Sequence, residues 1–274
     1  MRIAFIGDIV GRPGRKIIKD SLFDIRKEYK IDFVIANGEN ASHGFGLTVE
    51  NSKELFKCGI DLITGGNHSF DKKNDMQVVL NMENVLRPHN YPDGVIGKGL
   101  KICDIKVEEK IEKLAVLNLM GQFAMPLVEN PFNVATKVIQ SLKDDGINNI
   151  FIDFHAEATS EKRVMLMMFK NKVSAICGTH THVGTDDLQI FENTAYLTDI
   201  GLTGCYDNVI GMDSYAPIQK ATLGIGSHFD IPNSCKAILQ MMVVDIIDGK
   251  ATNCFKIKKY CSSSKLHILD AITI

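Results

Sequence analysis

Short apolar runs recur along the first two-thirds of the chain. Each is followed by a polar, glycine-rich turn and then by a helical pattern. The runs cover residues 3–7, 32–36, 61–64, 114–119, 149–154 and 173–177 and are rich in Ile, Val, Leu and Phe, which predicts buried strands. Helical periodicity follows over 14–29, 48–58, 72–81, 131–143 and 159–169, with Thr48 and Thr159 placed as N-caps. Strand–helix alternation of this kind predicts largely parallel strands covered by helices. The last third differs. A long apolar run over 237–247 meets Asp248-Gly249, a hairpin turn signal, and Phe255-Lys256-Ile257-Lys258 alternates as a half-buried strand. With a further strand in 266–274, this part is expected to add a second, mixed sheet packed on the first. A glycine-rich stretch from Gly201 to about Ser227 lies between, with room for one helical segment. No linker, low-complexity run or fixed-period repeat interrupts the pattern, so residues 1–274 are read as one domain.

Composition narrows the class. Of 274 residues 45% are hydrophobic and 23% charged, so disorder is excluded. Lys and Arg number 31 against 33 Asp and Glu, a balance that argues against binding long DNA duplex or a membrane surface. Seven cysteines, at 58, 103, 177, 205, 235, 254 and 261, include no Cys-x-x-Cys pair. With no signal-peptide pattern and no bilayer-length apolar run, they predict free, mostly buried thiols in a reducing, cytoplasmic compartment.

The chemistry-bearing residues share one topological position. Asp8 follows the first apolar run, Glu39 and Asn40 the second, Asn67 and His68 the third, His155 the fifth, and His180 and His182 the sixth. Parallel strands gather such carboxyl-end residues at one edge, where ligands bind. Singly each has a bland reading: Gly-Asn-His is a common turn, and a lone His is more often a satisfied core residue. Five such clusters at equivalent positions are not explained that way. Two carboxylates, amide oxygens and three imidazoles without thiolate suit Fe, Mn or Zn. They are also too many for one tetrahedral ion. Two ions sharing a carboxylate, about 3.5–4 Å apart, would clamp both oxygens of an in-line phosphoryl displacement. The glycine-rich Gly7–Lys16 segment lacks both the dinucleotide and the P-loop spacing. Arg12 and His43 remain as candidate substrate contacts, and Met165, Met167 and Met168 read as core filling.

The order Gly7-Asp8, Gly38-Glu39-Asn40, Gly66-Asn67-His68, His155 and His180-Thr181-His182 resembles the calcineurin-like metallophosphoesterases. The longer strings Gly7-Asp8-Ile9-Val10-Gly11, Ala36-Asn37-Gly38-Glu39-Asn40-Ala41, Asp153–Lys162 and Gly178–Val183 narrow the resemblance to their bacterial YmdB-like branch. Val10 stands where the broad superfamily has a histidine. The resemblance implies a four-layer α/β/β/α sandwich of two mixed sheets flanked by helices. It implies a dinuclear centre of divalent or trivalent ions, iron first, with manganese or zinc as alternatives. One ion would be held by Asp8, Glu39, Asn40 and His182, the other by Glu39, Asn67, His155 and His180, with His68 as general acid. The implied activity is 2′,3′-cyclic-nucleotide 2′-phosphodiesterase, by attack of a metal-bound hydroxide, on a small cyclic nucleotide or a short RNA end, in a chain compatible with homo-oligomers. Its rivals are a phosphomonoesterase or protein phosphatase on the same centre, and a regulatory RNA-binding module with a structural metal site.

Overall fold

Ile3 and Phe5 face one way along the first strand and Ala4 and Ile6 the other, and all four are buried. A strand buried on both faces needs cover on both sides, and the architecture follows from that. The computed structural model describes residues 1–226 and 228–274. Ser227, where the glycine-rich stretch ends, lies outside the described residues. In chain order the elements are β1 (Arg2–Ile6), α1 (Gly11–Glu28), β2 (Phe33–Asn37), α2 (Val49–Lys57), β3 (Leu62–Thr64), α3 (Met76–Val79), β4 (Leu100–Val107) and β5 (Lys110–Met120). Then come α4 (Pro131–Asp144), β6 (Ile150–His155), α5 (Thr159–Phe169), β7 (Ala175–Thr179), β8 (Gln189–Phe191), β9 (Thr194–Leu197) and β10 (Gly204–Cys205). The last are α6 (Tyr215–Leu223), β11 (Ala237–Ile247), β12 (Lys250–Tyr260), β13 (Leu266–Asp270) and β14 (Ile272–Thr273).

The described residues form two seven-stranded sheets. One runs β13-β12-β11-β1-β2-β3, with β10 pairing β11; the other runs β14-β8-β9-β7-β6-β5-β4. Both are mixed: β1, β2 and β3 are parallel while β11 is antiparallel to β1, and β5, β6 and β7 are parallel while β4 is antiparallel to β5. The inner faces meet through Ile3, Phe5 and Ile35 on one side and Val116, Phe151 and Leu197 on the other, with the Phe5 and Phe151 rings 5.0 Å apart. On the first sheet's outer face Ile18, Leu22 and Leu55 of α1 and α2 pack over Ala4, Ile6 and Val34. On the second's, Ile139, Met165 and Leu166 of α4 and α5 pack over Ala115, Leu117 and Ile152. These are the four layers α/β/β/α. No helix among the described residues is long and apolar enough to cross a membrane.

Several expectations need correction. The C-terminal strands β11–β13 do not begin a second sheet. They extend the first beside β1, and the second sheet is built from β4–β9 in the middle of the chain, with the small β14 at its edge. The helix expected over 72–81 is limited to the four residues of α3. Thr48 caps α2, accepting from the Asn51 amide, whereas α5 is preceded by Ala158 and has no side-chain cap. Met165 is core, but Met167 and Met168 are exposed. Two cysteines are not free: Cys205 and Cys235 form a disulfide, leaving Cys58, Cys103, Cys177, Cys254 and Cys261 as thiols.

Candidate metal centre

The carboxyl ends of β1, β2 and β3 in one sheet and of β6 and β7 in the other open onto the same cleft. Asp8 lies two residues beyond β1, in a segment whose Val10 amide donates to the Thr203 carbonyl and whose Gly11 amide donates to the Asn40 carbonyl. Glu39 and Asn40 follow β2, Asn67 and His68 follow β3, His155 is the last residue of β6, and His180 and His182 follow β7. Asp8, Glu39, Asn40, His155 and His182 are buried. Glu39, His155 and His180 bring ligand atoms within 4.8 Å of one another. Gly66 lets the third turn close on this group. A Cβ there would collide with Glu39 Oε2 and His155 Nε2, so a side chain is sterically excluded. His180 and His182 both take positive φ, 100° and 64°, a costly backbone of the kind found at functional sites.

Hydrogen bonds orient each ring. Thr179 donates to Asp153 Oδ1 at 2.7 Å, so its oxygen is left to accept from His155 Nδ1 at 3.0 Å. That turns His155 Nε2 toward the cleft as a lone pair. There it faces Asn67 Oδ1 at 2.9 Å, Glu39 Oε1 at 3.2 Å and His180 Nδ1 at 3.2 Å. The other nitrogen of His180 meets Glu157 Oε2 at 3.1 Å. His182 Nδ1 donates to the Ile210 carbonyl at 2.7 Å, so Nε2 presents a lone pair to Asn40 Oδ1 at 3.2 Å. The Asn40 orientation is itself set by its Nδ2, which donates to the Gly44 carbonyl. Lone pairs thus face lone pairs at two places, an arrangement that a cation satisfies and a neutral protein does not.

The charges agree with that geometry. Burial, only partly offset by His182 and His155, raises the Asp8 carboxyl above its ordinary range. Burial would also raise Glu39, but His155, and after it His68, outweighs this and holds the carboxyl down to about 2. Burial works against a charge on His155, yet Glu39 and Asp8 push it up to about 9. Burial and the His155 charge drive His180 down to about 3. A proton on His155 and a metal cation are therefore alternative carriers of the positive charge that the two carboxylates demand.

Some contributors were not legible in advance. Asp71 Oδ2 lies 2.7 Å from His68 Nδ1, three residues on in the same turn. The His68 amide donates to Glu39 Oε2 at 3.0 Å, which fixes the turn against the cluster. Asp153, buried by β6, accepts from Thr64, Asn37 and Thr179, and burial pushes its carboxyl up to about 7. Asp199 accepts from Lys162 at 2.7 Å, from the Thr181 amide and from the Gly201 amide, so a buried ion pair holds the His180–His182 turn. The only available signal for Asp153 was a carboxylate inside an apolar run. Arg12, in the first turn of α1, and His43 are exposed, and neither makes a side-chain hydrogen bond among the described residues. They are not drawn into the cluster.

Residues 4–259 match the YmdB-like protein family. A Bacillus subtilis (strain 168) protein named 2′,3′-cyclic-nucleotide 2′-phosphodiesterase is 43% identical over 249 residues, covering 90% of this chain and 92% of that protein. A crystal structure described as a novel phosphatase of Mycoplasma pneumoniae superposes with a TM-score of 0.87 at 35% identity, covering 95% of this chain and 93% of the other. A hypothetical protein from Thermus thermophilus gives 0.86 at 32% identity, with 99% and 100% covered.

Proposed function

The chain belongs to the YmdB-like family, and on that footing we propose that it is a single-domain metallophosphoesterase, residues 1–274, that opens 2′,3′-cyclic nucleotides to 3′-nucleotides. The observation that carries this reading is the convergence of Asn67 Oδ1, Glu39 Oε1 and His180 Nδ1 on His155 Nε2, and of Asn40 Oδ1 on His182 Nε2, acceptors that a shared proton or a cation must bridge. Asp8, Glu39, Asn40 and His182 would hold one ion, and Glu39, Asn67, His155 and His180 a second, with Glu39 shared. Carboxylate, amide and imidazole donors without thiolate fit iron, manganese or zinc. When bound, such ions lower the pKa of water and offset phosphoryl charge.

The remaining work belongs to the chain. Asp153, through Thr179, keeps His155 Nε2 turned inward, and Asp199 with Lys162 keeps the His180–His182 turn in place. His68 is pinned at Nδ1 by Asp71, which leaves Nε2 to carry a proton to the departing ribose 2′-oxygen. A purely structural ion would need no such acid, which supports catalysis over an RNA-binding module. The near-balanced charge of the whole chain supports a small substrate over a long duplex.

Metal-loaded protein assayed on 2′,3′-cyclic mononucleotides, p-nitrophenyl diesters and phosphomonoesters is expected to turn over the diesters fastest. Faster monoester hydrolysis would replace this reading by a phosphomonoesterase. His68→Ala should retain metal and lose roughly 10²–10⁴-fold on cyclic nucleotides. The loss should be smaller on p-nitrophenyl diesters, whose leaving group needs little protonation. Equal loss on both would make His68 a phosphate-positioning group.

A further inference from the structure

If His68 serves the departing oxygen, the nucleoside lies on its side of the cleft, and three half-buried aromatic residues stand there: Phe45, Phe70 and Tyr91. Phe45 is committed to the protein. Its ring meets the His68 ring edge-to-face, centroids 5.0 Å apart, and it packs on the cluster of Val10, Leu202 and Met212. Phe70, two residues beyond His68, supports Tyr91 edge-to-face at 5.0 Å.

Tyr91 sits on a rigid turn. The buried Arg87 guanidinium donates to the carbonyls of Pro88, His89, Val95 and Ile96 and so holds the loop from inside. Asn90 donates to the carbonyls of Met120 and Glu129 and accepts from the Met120 amide. The Tyr91 hydroxyl makes no hydrogen bond among the described residues, and the residue is half-buried beside Phe70, two residues beyond His68. Its phenol feels the site: burial and then the charge of Glu39, with Asp71 adding, push it up to about 12.

We propose that Tyr91, backed by Phe70, is the specificity-determining residue that receives the nucleobase of the substrate by stacking. This rests on the cyclic-nucleotide reading above. A base stacks on any flat π-face, so the preference is for a nucleotide over a base-free sugar phosphate, with little choice among bases. A ring already fixed by its neighbours loses little rotamer freedom when a ligand covers it.

The test compares wild type, Tyr91→Leu and Tyr91→Phe, each metal-loaded, on adenosine 2′,3′-cyclic phosphate and on methyl riboside 2,3-cyclic phosphate. The ratio of kcat/KM for the nucleotide over the base-free diester should fall about 10- to 100-fold in Tyr91→Leu, through KM, and be restored in Tyr91→Phe. Tyr91→Met, apolar and ringless, repeats the measurement should Tyr91→Leu fail to fold. The same ratio is read by calorimetry with adenosine 3′-phosphate against inorganic phosphate, which requires no turnover. If wild type hydrolyses no cyclic nucleotide, the activity reading fails while this binding ratio still judges Tyr91. A ratio that is the same in all variants overturns the proposal. A Tyr91→Phe variant as impaired as Tyr91→Leu also overturns it, since the hydroxyl and not the ring would then be the contact.

Discussion

The Nζ of Lys256 is buried between the sheets with no hydrogen-bond partner among the described residues. The sequence alternation around Phe255 reads Lys256 as the outward member of a half-buried strand. In the structure Phe255 and Ile257 face the helix-covered side, and Lys256 points inward with Cys254, whose own side chain belongs to the inter-sheet core. It ends behind the His180–His182 turn, where a Cβ on Gly184 would come within 2.5 Å of Nζ. Burial, reinforced by the Lys258 charge, pushes the amine down to about 8 from an unfolded value near 10.4. Between these values the unfolded chain holds more protons, so this group's contribution to stability rises with pH from about 8 to about 10.4 and is constant and unfavourable below. Lys256→Met is therefore expected to stabilise the protein at pH 6–7 by about 3 kcal/mol, with the gain shrinking toward pH 10. Denaturant melts of both proteins at the two pH values check this; a gain independent of pH would mean packing, not charge, decides the site.

Among the elements, the segment closed by Cys205 and Cys235 is where pattern reading failed most. Two cysteines 30 residues apart carry no pairing signal in an odd-numbered set, and the composition favoured free thiols. Pairing depends on tertiary register: β10 sets Cys205 opposite Ala237 on β11, two residues from Cys235. The segment matters because its Ile210 carbonyl holds His182, while Met212 and Ile231 crowd Gly44 in the turn after Asn40. By contrast, the strands carrying the site motifs were legible to within two or three residues at most ends, because apolar runs bounded by glycine leave little choice. Closing a loop of this length restricts the unfolded chain by about 3–4 kcal/mol. Cys205→Ser, or dithiothreitol, should lower stability by about that amount and speed proteolysis between 206 and 234. Thiol titration of the denatured, unreduced protein should find five groups, the free cysteines, rising to seven on reduction. Seven without reductant would show the bond absent.

At the scale of the whole molecule, the cleft divides its donors by sheet. Oxygens come from the β1–β3 edge, in Asp8, Glu39, Asn40 and Asn67; nitrogens come from the β6–β7 edge, in His155, His180 and His182. The convergence of strand ends was readable from residue order alone, because each motif follows its own apolar run. The division was not, since nothing local states whether a parallel strand joins β1 or β5. Nor could alternation reveal that β11 returns to the free edge of β1. The division has a mechanical consequence. An ion ligated by Glu39, Asn67, His155 and His180 would cross-link the two sheets at the cleft, adding to the hydrogen bonds that Asn37 and Thr64 donate to Asp153 and to the apolar contact between the inner faces. Binding to the folded state alone at about 100 times Kd adds about 2.7 kcal/mol, or roughly 5–10 °C in Tm for a chain of this size. Stripping with a chelator should lower Tm by that order and re-adding Mn²⁺ should restore it. Glu39→Gln should abolish most of the shift, because a neutral amide is a poor replacement for the carboxylate proposed to be shared between two ions. Thermal melts of both proteins with and without Mn²⁺ decide the matter: a wild-type Tm indifferent to chelator and metal alike would mean that no ion bridges the sheets.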